Sequence, residues 1–186
     1  MYYFKAEWII LQIKKISEKE LLYKIFFKEY GILMVKKQKK TREKWLDIWY
    51  HISTEIITHD TDKQTIPTIT NIKIKNYFSS DWKNHKSIMS FLLVLMYVED
   101  ILPLWTPNDT LYNWILIFLT LQDAISPTSH LLFKLKVRNY NWELISHHQD
   151  QDIRKILQFI ENNSMQDILK LRKIPEDIEK KLERFI

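Results

Sequence analysis

A chain of 186 residues with 46% hydrophobic and 13% aromatic content can bury a real core as one large or two small domains, which excludes disorder as the default. The formal net charge is +5, with 15 Lys and Arg against 9 Asp and Glu in residues 1–78 and 13 against 14 in residues 79–186, so the basic excess sits in the first part. The lack of cysteine excludes disulfides and thiolate metal clusters, and a single glycine excludes a glycine-rich phosphate loop and the nucleotide-driven chemistry built on one.

Met1-Tyr2-Tyr3-Phe4-Lys5-Ala6-Glu7 has neither the basic leader nor the unbroken apolar stretch of a signal peptide. The longest apolar run, 88–98, is interrupted by Ser90 and stopped by Glu99 and Asp100, well short of the roughly 20 residues of a spanning helix. Both features predict a soluble cytoplasmic protein with no membrane partner.

From Trp8 to Lys75 the hydrophobic pattern has period two, the signature of strands. Ile9, Leu11 and Ile13 alternate with Ile10, Gln12 and Lys14, and Leu21, Tyr23, Ile25 and Phe27 alternate with Leu22, Lys24, Phe26 and Lys28. Gly31 closes a Glu29-Tyr30-Gly31 corner that calls for positive φ, and a third strand covers 32–37. The fourth, 46–56, sets Leu46, Ile48, Tyr50, Ile52, Thr54 and Ile56 against a wetter face of Asp47, Trp49, His51, Ser53 and Glu55. Residues 58–64 read as a loop and 68–75 as the fifth strand. Five short strands in this span suit a small closed barrel, since closure removes exposed edges, and an OB-type barrel is the first candidate.

After Phe78 the period becomes helical. Ser79, Ser80 or Asp81 caps a helix ending near Leu102, and Thr106-Pro107 and Ser126-Pro127 each set a capping hydroxyl before a proline at the first helical position. Between those two starts Leu111, Trp114, Ile115, Phe118 and Leu119 recur at helical spacing. Further helices are expected over 131–138, over 151–161, over 165–171 behind a Ser164-x-x-Asp167 capping box, and over 176–185 behind Pro175. The expected fold is therefore α+β: a five-stranded OB-fold barrel over 1–78, then an all-helical domain over 79–186.

The densest cationic feature is Lys36-Lys37-Gln38-Lys39-Lys40-Thr41-Arg42-Glu43-Lys44, six cations and one anion between two expected strands. A cationic loop at a barrel rim is suited to phosphate neutralisation, because each engaged charge releases condensed counterions. Lys14 and Lys24, on the first two strands, extend the set, giving Lys36, Lys37, Lys39, Lys40, Arg42, Lys44, Lys14 and Lys24 as candidate DNA contacts. Tyr23, Phe26, Trp45, Trp49 and Tyr50 lie near enough in sequence to offer stacking faces to unpaired bases, while core packing is the better account of each taken singly. His147 and His148 are adjacent and point apart, so a surface loop explains them better than a metal site. His51 and His130 have no nucleophile or carboxylate at telling spacing. Pro175-Glu176-Asp177 with Glu179, Lys180 and Lys181 echoes a nuclease motif that elsewhere stands on strands, whereas this segment reads as helical. No catalysis and no cofactor are expected.

These residues, in this order, resemble the RecO proteins of bacterial recombinational repair. Trp8 to Leu11 with Ser17-Glu18-Lys19 is similar to the family's opening strand and turn, 25–31 to its second strand and glycine corner, 35–44 to its basic loop, and 46–56 with 66–70 to the strands completing its OB barrel. Leu102-Pro103, Pro107-Asn108 and the long apolar helix, then Leu131-Leu132-Phe133-Lys134-Leu135 to Asn139-Tyr140, are similar to its central helices. The chain departs from the family at Gln38 and Asn139, where glycine is usual, and at Lys134, where an acid is usual. It also carries no cysteine zinc site after Tyr140, where Ser146-His147-His148-Gln149-Asp150 stands, so the metal lobe is expected to be lost. The resemblance implies a non-enzymatic mediator that binds single- and double-stranded DNA, anneals complementary strands and assists recombinase loading onto DNA coated by single-strand-binding protein. RecR is the implied partner. It also implies that the acidic C-terminal tail of single-strand-binding protein docks on the helical part, where Lys134 and Arg138 flanked by Leu131 and Leu135 form the candidate site. The alternative is an RNA-binding or structural adaptor using the barrel, separable by comparing affinity for DNA and RNA.

Overall fold

The computed structural model describes residues 2–38, 46, 50–58, 66–77, 85–121, 126, 128–141, 150–171 and 174–185. The alternating segments form β1 (Tyr2–Lys15), β2 (Glu20–Phe27), β3 (Gly31–Gln38), β4 (Tyr50–Thr58) and β5 (Thr68–Tyr77). They close into a barrel in the order β1-β2-β3-β5-β4. Neighbours are antiparallel except β3 and β5, which meet in parallel at Lys36 and Thr68, where the Lys36 N–H donates to the Pro67 carbonyl at 2.8 Å. Helices follow: α1 (His85–Ile101), α2 (Asp109–Thr120), α3 (Ser129–Tyr140), α4 (Gln151–Asn162), α5 (Met165–Leu169) and α6 (Glu176–Leu182), then a 3-10 turn, Glu183–Phe185. The chain is thus an α+β protein with a barrel followed by helices.

β1 begins well before Trp8 because β4 pairs with it from Tyr2 opposite Thr58 to Ile9 opposite His51. Trp8, Ile10, Tyr23, Ile25, Phe27, Leu33, Val35, Ile52, Ile56 and Ile69 fill the barrel. One part of the alternation is interrupted. The β1–β2 register passes from Ile10 opposite Ile25 to Gln12 opposite Lys24, which leaves Leu11 as an extra residue. This bulge turns Ile13 onto the same core as Ile10, although strict alternation would place them on opposite faces.

The chain divides into two compact units, Met1–Phe78 with Val98–Tyr112, and Ser79–Tyr97 with Asn113–Ile186. Residues Val98–Tyr112 form a strap on the barrel. Leu104 bridges Ile32, the Trp105 N–H donates to the Ile32 carbonyl at 3.0 Å, and Tyr112 meets Phe26 edge-on at 5.5 Å. The strap explains why Ile32 and Phe26, on the outside of the barrel, are fully buried, and why His51, expected on a wetter face, is buried beside Tyr112. The division also redistributes charge. The barrel unit carries 15 Lys and Arg against 12 Asp and Glu, a net of +3, and the helical unit 13 against 11, a net of +2.

In the helical unit Leu131, Leu132, Leu135, Ile153, Leu157, Ile160, Ile168 and Leu182 share one core. The Asp150 side chain accepts from the Asp152 and Ile153 amides at the start of α4, Ser164 accepts from the Asp167 amide at the start of α5, and Pro175 begins α6. Two expected caps are corrected. Asn108, not Thr106, caps α2 by accepting from the Leu111 N–H at 2.9 Å, because the helix begins at Asp109, three residues beyond Thr106. α3 starts at Ser129, and Ser126 instead places its hydroxyl among those of Thr128 and Ser129.

Gly31 has φ 74°, and a Cβ there would collide with the backbone N, C and O of Thr106. Left-handed strain and that collision add, so Gly31→Ala is expected to lower unfolding free energy by at least about 2 kcal/mol. Urea denaturation measures this; a loss below about 0.5 kcal/mol, the range of neutral surface changes, would contradict it.

Candidate nucleic-acid interface

Residues directly opposed in a sheet share one face. Gln12 opposes Lys24, which opposes Met34; one step along, Lys14 opposes Leu22, which opposes Lys36. Tyr23, Ile25, Leu33 and Val35 point inward, so these two rows lie outside the barrel. Gln12 and Lys14 are exposed, and Leu22, Lys24, Met34 and Lys36 are half-buried. The structure therefore brings Lys14, Lys24 and Lys36, three of the expected cations, onto one face across β1, β2 and β3.

The other cations are placed differently. Lys36 and Lys37 belong to β3, not to a loop, and Lys37 shares the inward parity of Leu33 and Val35 with only 8% exposure. Lys39, Lys40, Arg42 and Lys44 lie outside the described residues. Lys24 is engaged by Glu99, whose Oε1 is 2.7 Å from its Nζ. Sequence reasoning missed Glu99, which reads only as the charge that ends an apolar run.

The described aromatics take the core role rather than the stacking one. Tyr23 and Phe26 are buried, since the first fills the barrel and the second lies under Tyr112, and Tyr50 packs half-buried against the core. Trp45 and Trp49 lie outside the described residues. The outer rows accordingly offer cations with the apolar side chains of Leu22 and Met34.

The docking constellation on α3 is also corrected. Leu131 and Leu135 are core residues, 1% and 0% exposed, because their spacing puts them on the inward stripe of the helix with Leu132. Lys134 is half-buried with its Nζ 5.4 Å from the centre of the Tyr97 ring, and Arg138 is half-buried and already engaged. No apolar flank remains from the two leucines for a tail peptide.

His51 Nε2 lies 3.5 Å from Glu7 Oε2, and Glu7 Oε1 lies 3.1 Å from Lys75 Nζ. Neither His51 Nε2 nor the Tyr112 hydroxyl has a hydrogen-bond partner among the described residues. Burial holds the His51 pKa below its usual 6.5, partly opposed by Glu7, and burial raises the Tyr112 hydroxyl, assisted by Glu7 and Glu29. Among the described residues no three His, Asp or Glu side chains are grouped to hold a metal, and no helix is long and apolar enough to cross a membrane. His147 and His148 lie outside the described residues. Glu176, Asp177, Glu179, Lys180 and Lys181 stand on α6, where Lys180 pairs with Glu176 at 2.8 Å and Lys181 with Asp150 at 2.7 Å.

No family model matches the sequence, and no curated protein matches it.

The buried imidazole makes stability pH-dependent. The folded state holds its proton less tightly than the unfolded chain, so the contribution is complete above about pH 6.5 and is lost as pH falls through that value. Between pH 7.5 and pH 5.5 the thermal midpoint of the parent should fall further than that of His51→Phe; equal falls would contradict this assignment.

Proposed function

We propose that the chain is a nucleic-acid-binding repair protein of the RecO type, acting without catalysis, whose barrel is an OB fold. The observation that carries the reading is the strand order β1-β2-β3-β5-β4 with Lys14, Lys24 and Lys36 aligned on the outer face of β1 to β3. Barrels of the OB type bind oligonucleotides on the face of their second and third strands, where phosphate contacts give affinity without sequence preference. Cations interleaved with Leu22 and Met34 suit the backbone and sugars of a flexible single strand. Such backbone recognition leaves bases free to pair, as annealing of complementary strands requires.

On this reading the protein acts in the cytoplasm at the nucleoid, binds single- and double-stranded DNA, and assists recombinase loading onto DNA coated by single-strand-binding protein, with RecR as partner. Docking of that protein's acidic tail would have to compete with the contacts that Lys134 and Arg138 already make, within a unit of net +2.

Fluorescence anisotropy with single-stranded DNA, duplex DNA and RNA at several salt concentrations tests the reading. Single-stranded DNA should bind with an affinity that falls as salt rises. Lys14→Gln and Lys36→Gln should each flatten the plot of log K against log salt by about 0.7. No binding to either form of DNA would overturn the reading, and marked preference for RNA would favour the RNA-binding adaptor.

A further inference from the structure

The strap is charged with one sign only. Val98–Tyr112 contains Glu99, Asp100 and Asp109 and neither lysine nor arginine, and it shares a unit with residues 1–78, whose own net charge is +6. Glu99, in the last turn of α1, directs its carboxylate at Lys24, and the two side chains are 22% and 21% exposed. Lys24 stands at the centre of the outer rows, between Gln12 and Met34 and one step from Leu22. A carboxylate oxygen at 2.7 Å from an ammonium occupies the place that a phosphodiester oxygen would take. The pair is half-buried but still reached by solvent, so another anion of equal or greater charge can compete for the lysine. The strap does not depend on the pair for its seat, since its backbone is fastened at Ile32 and packed on Gly31. Exchange at Lys24 therefore requires only that the Glu99 side chain turn away.

We infer that Glu99 is a built-in competitor for phosphate: it occupies Lys24 in the free protein and yields it to the backbone of a bound single strand, which lowers affinity. The inference rests on the reading of the barrel as a nucleic-acid-binding unit. It makes Lys24 a third phosphate site alongside Lys14 and Lys36, open only in exchange for the Lys24–Glu99 pair.

The test uses the full chain, a fluorescent oligo-thymidylate and anisotropy titrations over a range of salt. Glu99→Gln keeps the shape of the side chain and removes its charge; affinity should rise by at least about threefold, since a half-buried pair is screened less than an exposed one. Glu29→Gln, the same charge change in the exposed turn before β3, should raise it less. Adding Lys24→Gln to Glu99→Gln should cancel the gain, because the freed lysine is what produces it. A Glu99→Gln variant that binds like the parent or like Glu29→Gln overturns the inference, as does a gain that survives loss of Lys24. In those cases the parent still binds and the nucleic-acid reading stands. If neither parent nor Glu99→Gln binds the oligonucleotide, the nucleic-acid reading fails and takes the inference with it. A fall in thermal midpoint with unchanged binding assigns the pair a purely structural role.

Discussion

Strand β3 is held along one side by β2 from Gly31 to Gln38, and its other side is fastened at two places by different parts of the chain. Near its end, the Lys36 N–H reaches Pro67 and closes the barrel; near its start, the Ile32 carbonyl receives the Trp105 N–H and seats the strap. An open β3 edge would present unpaired backbone groups, so these two attachments answer one requirement at two points. They also define what the outer face can do. At the Ile32 end the face is covered and Phe26 is buried, while at the Lys36 end it stays accessible with Lys14 and Leu22. Gly31 permits the arrangement, because only a residue without Cβ lets the Thr106 backbone approach so closely.

Much of the barrel was legible in the sequence because period-two patterning reports local geometry directly. The five strands, the positive φ of Gly31 and the caps at Ser164 and Pro175 follow from residues close together in the chain. What escaped was set by contacts between distant residues. The Leu11 bulge appears only when β1 is registered against β2, and the burial of His51 appears only when Tyr112 is laid over it. Two misplacements did carry a signal: Lys37 continues the inward parity of Leu33 and Val35, and Leu131, Leu132 and Leu135 form an apolar stripe of core width. For both, charge or motif outweighed periodicity in the sequence reading. The cations of 39–44 belong to the candidate site only as expectation, since they lie outside the described residues.

The described part of the candidate interface is a sheet face that holds three of the cations the sequence pointed to. Lys14, Lys24 and Lys36 come from three strands and are held in register by the sheet. Side chains fixed on strands lose less freedom on binding than side chains on a mobile loop, so fewer cations suffice for a given affinity. The acidic strap offsets part of that attraction, reducing the unit's surplus to +3 and favouring a ligand that can be released. Reversible contact with DNA is what the proposed annealing role would need, because strands held too tightly cannot be handed on.

The proposed function requires a single strand to lie across the outer rows of β1, β2 and β3. Titrating the isotopically labelled protein with oligo-thymidylate and following backbone amide shifts by nuclear magnetic resonance tests it residue by residue. The claim requires the largest changes at Gln12, Lys14, Leu22, Lys24, Met34 and Lys36, with the amides of α4 and α6 unmoved. Changes confined to the helical unit, or absent from these six positions at saturating ligand, would contradict it.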